Sequence, residues 1–271
     1  MNAAVSNIAW TVADDDAARE MLAAAGVKHL EIAPTRQWPD LSLVSESEAR
    51  SYAEGLQRRG FSVCAFQALL FGKPELLVFG KDDGRACVEY LARVCRLASW
   101  MGAKALVFGS PKNRTRESLS PEEAFAKGQD FFRALGDAAA AQGVVVCIEP
   151  NPAAYSCDFL QTASEAAAMV RAVNSPGIRL NLDMGELIMN GADVPKAVRE
   201  FLPLAGHFHA SEPMLEPFDP AREAHHAAAG VLRDAGYEGV VSLEMKTPQG
   251  GPAVVGRALH DMQHVYFAKS S

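Results

Sequence analysis

VVVCIE, residues 144–149, is an apolar run that ends on a carboxylate. A short, continuous apolar run reads as a strand buried on both faces, as in a parallel sheet. The same pattern recurs further along the chain as IRLNLD (178–183), AGHFH (205–209) and VVSLE (240–244). Each run closes on a side chain able to bind a metal: Glu149, Asp183, His209 and Glu244. They are spread over about a third of the chain, so only a closed fold brings them together. In a parallel α/β barrel the carboxyl ends of the strands converge on one mouth, where functional residues gather.

Short apolar runs alternate with longer helical patterns from end to end, the mark of repeated βα units. Strands are expected at Asn7–Trp10, His29–Ala33, Ser62–Ala68, Ala105–Gly109, Val144–Glu149, Ile178–Asp183, Gly206–Ala210 and Val240–Glu244. Ser120-Pro121-Glu122-Glu123 offers an N-cap, a proline at the first helical position and a glutamate at the third, and Thr162 with Glu165 repeats the capping logic. A doubly wound open sheet should carry a glycine-rich phosphate turn after an early strand, but the turn after Trp10 is TVADDD. With no linker or low-complexity tract, residues 1–271 read as a single (β/α)8 barrel domain of the α/β class.

The 271 residues carry a formal charge of −7. That argues against a phosphate backbone as the main partner, since nucleic-acid binding needs concentrated Lys and Arg. Five cysteines without a CxxC pair suit a reducing compartment. The N-terminal MNAAVSNIAW lacks a basic n-region and a long apolar core, and no run approaches membrane-span length. A cytoplasmic protein is expected, without membrane or nucleic-acid partners. Self-association stays open, since no interface patch stands out.

Alternation tests whether the strand-end residues face inward. His207 and His209 share one side of their strand, as do Asn181 with Asp183 and Ser242 with Glu244. Polar residues of one parity at the ends of buried strands are hard to explain as packing. Three carboxylates and an imidazole form a hard-to-borderline donor set for one divalent ion, with Mn2+ first and Mg2+ or Co2+ next. Such a site suits proton abstraction beside a carbonyl, with Glu149 and Glu244 as the acid–base pair. Whether the outcome is epimerisation or aldose–ketose isomerisation stays open.

The motifs I-E-P (148–150), L-D-M-G (182–185), G-H-F-H (206–209) with Glu212 three residues on, and S-L-E (242–244) resemble those of the xylose-isomerase-like TIM barrels. Within that family the likeness is to sugar isomerases and epimerases, including ketose 3-epimerases, hydroxypyruvate isomerase and inosose dehydratase. The resemblance implies that Glu149, Asp183, His209 and Glu244 bind a divalent metal and that the two glutamates exchange the substrate proton. It also marks departures. The ketose 3-epimerases have a substrate-contacting histidine where this chain has Glu186, a glutamate at Tyr155 and an arginine at Leu215. The metal core therefore matches while the substrate shell does not.

Asn151, Glu186, Glu212, Lys246, Gln67 and Arg114 are the candidates for binding a small, carbohydrate-like substrate, and His207 is expected to support the site from one layer deeper. Glu31, Trp10 and Trp38 are placed near the same mouth, whereas His225-His226 reads as surface. The leading function is a metal-dependent isomerase or epimerase. A lyase acting on a keto-inositol or keto-sugar is the alternative, distinguished by loss of water. An apurinic-endonuclease-like repair enzyme would need further histidines on the third and fourth strands, where Gln67 and Gly109–Ser110 stand. A non-catalytic binding barrel is the remaining class.

Overall fold

The computed structural model describes residues 1–268. Strand and helix alternate as β1 (Asn2–Ser6), α1 (Asp15–Ala24), β2 (His29–Ile32), α2 (Glu46–Arg58), β3 (Ser62–Phe66), α3 (Arg85–Trp100), β4 (Ala105–Phe108) and α4 (Pro121–Ala141). The second half continues with β5 (Val145–Ile148), α5 (Ala163–Val173), β6 (Ile178–Asp183), α6 (Met184–Met189), α7 (Val194–Phe201), β7 (Ala205–Ser211), α8 (Glu223–Asp234), β8 (Val240–Glu244) and α9 (Pro252–Phe267). Among the described residues the eight strands are parallel and close in chain order, β8 pairing back onto β1. No described helix is long and apolar enough to cross a membrane.

Side-chain alternation divides each strand between the helical shell and the barrel interior. On β4, Phe108 faces the shell and packs edge-on against Phe132 of α4, with ring centroids 5.5 Å apart. Register then carries the inward parity around the barrel, because aligned partners on adjacent strands face the same side. Ser6 is aligned with Glu31 and Glu31 with Ala65. Asn181 is aligned with His207, Asp183 with His209, His209 with Ser242 and Ser211 with Glu244. Large polar side chains thus enter the interior from β2, β6, β7 and β8. The small Ala65, Ala105 and Cys147, on β3 to β5, form a separate buried cluster.

The first strand lies earlier than expected. Its extended residues are Asn2–Ser6, and Asn7–Ala9 of the anticipated Asn7–Trp10 strand form a 3-10 turn. Local polar chemistry overrides the apolar Ile8-Ala9-Trp10 run: Ser6 Oγ accepts from Ile8 N, and Asn7 Oδ1 accepts from Ala33 N beyond β2. The other seven strands fall within a residue or two of their expected bounds. Ser120 and Glu123 form the reciprocal capping box on α4. Thr162 caps α5 through Glu165 N, while the Glu165 carboxylate reaches Gln161 N. All five cysteines are free.

Candidate metal centre

Each of the four strand-end residues is held by its own local structure. Glu149 follows β5 directly, its N–H continuing the ladder to Phe108 O. Its Oε1 accepts from Asn181 Nδ2 at 2.9 Å and its Oε2 from Asn151 Nδ2 at 3.2 Å. Asp183 ends β6 and caps α6, Oδ1 accepting from Glu186 N at 2.6 Å and Oδ2 from Ser211 Oγ at 2.7 Å. His209, fully buried on β7, turns Nδ1 toward the carboxylates. That nitrogen lies 3.1 Å from Glu149 Oε1, 3.5 Å from Asp183 Oδ2 and 3.1 Å from Glu244 Oε2. One donor atom from each of the four lies within 4.8 Å of all the others.

Three carboxylates crowding one buried nitrogen create a strongly negative site. Burial, assisted by the charges of Glu149 and Asp183, pushes the Glu244 carboxyl up to about 7 despite the neighbouring imidazole. Burial opposes a charged His209, but the Glu244 and Glu31 carboxylates outweigh it and hold the imidazole well above its ordinary range. The donor set fits a divalent cation: three oxygens neutralise it and Nδ1 supplies a borderline nitrogen. Space is also reserved for this arrangement. A β-carbon built on Gly109 would stand 2.3 Å from Glu149 Oε2, so only glycine leaves that carboxylate its place.

A cavity opens beside the cluster, lined by Glu149, Asp183 and Glu244 together with Asn151, Tyr155, Leu215 and Pro111, Pro150 and Pro152. Asn151 is thus the one substrate-side candidate on its wall. Arg114 is fully buried behind it, Nη2 donating to Glu149 O at 2.7 Å and Asn151 Oδ1 at 3.1 Å. Gln67 bonds Ser6. Glu186 reaches Ala163 N at the start of α5 and Asn190 on α6's own end. Lys246 pairs with Glu216 in a half-exposed ion pair. The carboxylate of Glu212 is committed to Arg222, His225 and Asp219 N. His225 corrects the surface reading, being fully buried and bonded to Tyr266 and Glu212. Trp10 is core, its Nε1 donating to Asp15, and Trp38 packs edge-on against Tyr52.

Sequence reading assigned no role at the site to Ser211, Asn181 or Gly109, which orient or make room for the cluster. Strand parity carries the signal for the first two, each two residues from a candidate ligand. Nothing local marks Gly109.

The family description "Xylose isomerase-like TIM barrel" matches residues 20–264. The chain belongs to this family. A D-psicose 3-epimerase of Agrobacterium fabrum is 29% identical to this xylose-isomerase-like barrel over 127 residues, 47% of this chain and 44% of that protein. The matched stretch therefore spans less than half the length of that relative. A crystal structure of D-psicose 3-epimerase in the presence of D-fructose superposes with a TM-score of 0.82 at 18% identity, covering 99% of this chain and 100% of that one. The IOLI protein, solved with a binding zinc atom, gives 0.72 at 19% identity, covering 99% and 100%. At these identities the structural likenesses show the fold.

Proposed function

We propose that this barrel is a divalent-metal-dependent isomerase or epimerase of a small polyhydroxy carbonyl compound. One observation carries the reading: four donor atoms from β5 to β8 meet within 4.8 Å of one another, three of their residues lining a single cavity. The partial match to a D-psicose 3-epimerase and the zinc in the IOLI structure support it. A cation bound there would supply electrostatic stabilisation for negative charge developing on a substrate carbonyl oxygen. Glu149 and Glu244 serve as proton acceptor and donor at the carbon beside that carbonyl. Glu149 is oriented through both oxygens by Asn181 and Asn151. Glu244 lines the same cavity, within reach of a substrate held there.

The departures from the ketose 3-epimerase pattern lie where they bear on substrate choice. Tyr155 and Leu215, at positions where those enzymes have a glutamate and an arginine, both line the cavity. The end of the substrate they meet is correspondingly less hydroxylated than that of a free ketohexose.

The test is a panel of ketoses, keto-inositols and keto-acids incubated in heavy water with chelator-stripped protein and with protein reloaded with Mn2+ or Co2+. The expected result is deuterium entering beside the carbonyl only after reloading, with no loss of water. Glu149→Gln and Glu244→Gln should each slow exchange by about 10²-fold or more. Undiminished exchange in stripped protein overturns the proposal, and a product lighter by one water assigns a dehydratase instead.

A further inference from the structure

Beneath the four-residue cluster, Glu31 of β2 is fully buried and receives three donors. His207 Nε2 lies 3.2 Å and Ser242 Oγ 2.6 Å from Oε2, and His209 Nε2 lies 3.0 Å from Oε1. These partners come from β7 and β8, so Glu31 spans the barrel interior. Glu31, His207 and His209 are close enough to suggest a second cation site. The hydrogen-bond count argues otherwise: with Ser242 also donating, Glu31 is wired as an acceptor for two imidazole N–H groups.

That wiring matters at His209, whose two ring nitrogens face different partners. Nε2 faces Glu31, and Nδ1 faces Glu149, Asp183 and Glu244. To ligate a cation the imidazole must keep only one proton, and the nitrogen without it offers the lone pair. With the proton on Nε2, Nδ1 is free to ligate. With no acceptor at position 31, the proton is drawn to Nδ1, where three carboxylates compete for it and a cation must displace it. We propose that Glu31 is a positioning residue that keeps the His209 proton on Nε2, making Nδ1 the ligating nitrogen. His207 and Ser242 steady it by holding its second oxygen. The inference rests on the metal-dependent reading above.

The experiment titrates Co2+ into metal-free wild type and Glu31→Met, which keeps side-chain length and removes the acceptor. Binding is read by calorimetry and by the Co2+ absorption bands, and folding by circular dichroism. The expected result is a folded variant whose Co2+ affinity is about 10–100-fold weaker, the usual effect of losing the outer partner of a ligating histidine. Equal affinity in the folded variant overturns the inference and leaves the functional reading standing. If wild type binds no Co2+, both fall together. Should Glu31→Met not fold, long-range nitrogen–proton NMR of Zn2+-loaded wild type decides. A proton on His209 Nε2 supports the inference, and an unprotonated Nε2 overturns it.

Discussion

At Gly109 a β-carbon would stand 2.3 Å from Glu149 Oε2, and the far side of that carboxylate is already held by Asn181. Gly109→Ala must therefore displace the Glu149 carboxylate, by ~1 Å. A shift of that size at a reacting group costs about 10²-fold in rate. Solvent-deuterium exchange should fall by that amount while circular dichroism stays native; unchanged exchange would show that the carboxylate has slack. A second residue-scale prediction concerns Glu186. Burial, against the bonds from Asn190 and Ala163, pushes its carboxyl up to about 8, and Oε2 has no partner. Its ordinary value is 4.5, so between 4.5 and about 8 the unfolded chain loses this proton while the folded chain keeps it. Stability from this group is then lost as pH rises across that window. Glu186→Gln, which mimics the protonated form, should stabilise the protein by about 1–3 kcal/mol at pH 7 and by nothing near pH 4. Denaturant titrations at the two pH values check this, and an equal gain at both would contradict it.

Between elements, α4 and the turn entering β6 touch at their backbones. A β-carbon on Gly177 would lie 2.0 Å from Gly136 O, and one on Gly136 would lie 2.6 Å from Ser175 Oγ. Such an approach is available only to paired glycines, and it sets the height of β6, whose last residue is Asp183. Gly177→Ala should cost about 1–3 kcal/mol by overpacking, measured by chemical denaturation. A neutral result would mean that α4 can lift without penalty. Helix ends were legible before the fold because their chemistry is local: Ser120 and Glu123 lie three residues apart and form the expected box. The first strand was not, because Ser6 and Asn7 turn the chain through bonds that an apolar run does not advertise.

On the scale of the whole molecule, three carboxylates converge at one end of the barrel, and a bound cation would relieve their mutual repulsion. A ligand that binds only the folded state stabilises it by mass action. Mn2+ at 100 times its dissociation constant should raise stability by about 2.7 kcal/mol, visible as a higher unfolding temperature that a chelator reverses. A melting curve indifferent to Mn2+ and chelator would count against the cation. Self-repulsion is partly relieved by His209, whose imidazole lies within 3.5 Å of all three carboxylates.

By itself the sequence determined the barrel and the four convergent strand ends. Both follow from periodicity, and a period-2 pattern in a run of six residues already says which side chains share the interior. It also placed Asn151 and His207 beside the site, being two residues from candidate ligands. Only the tertiary structure decided what surrounds them. Arg114 backs the pocket, Glu212 is captured by Arg222 and His225, and Glu31 reaches His207 and His209 across 176 and 178 positions of chain. Those contacts depend on the closure and register of the whole barrel, and no local pattern records which residue will stand opposite another once the ring is shut.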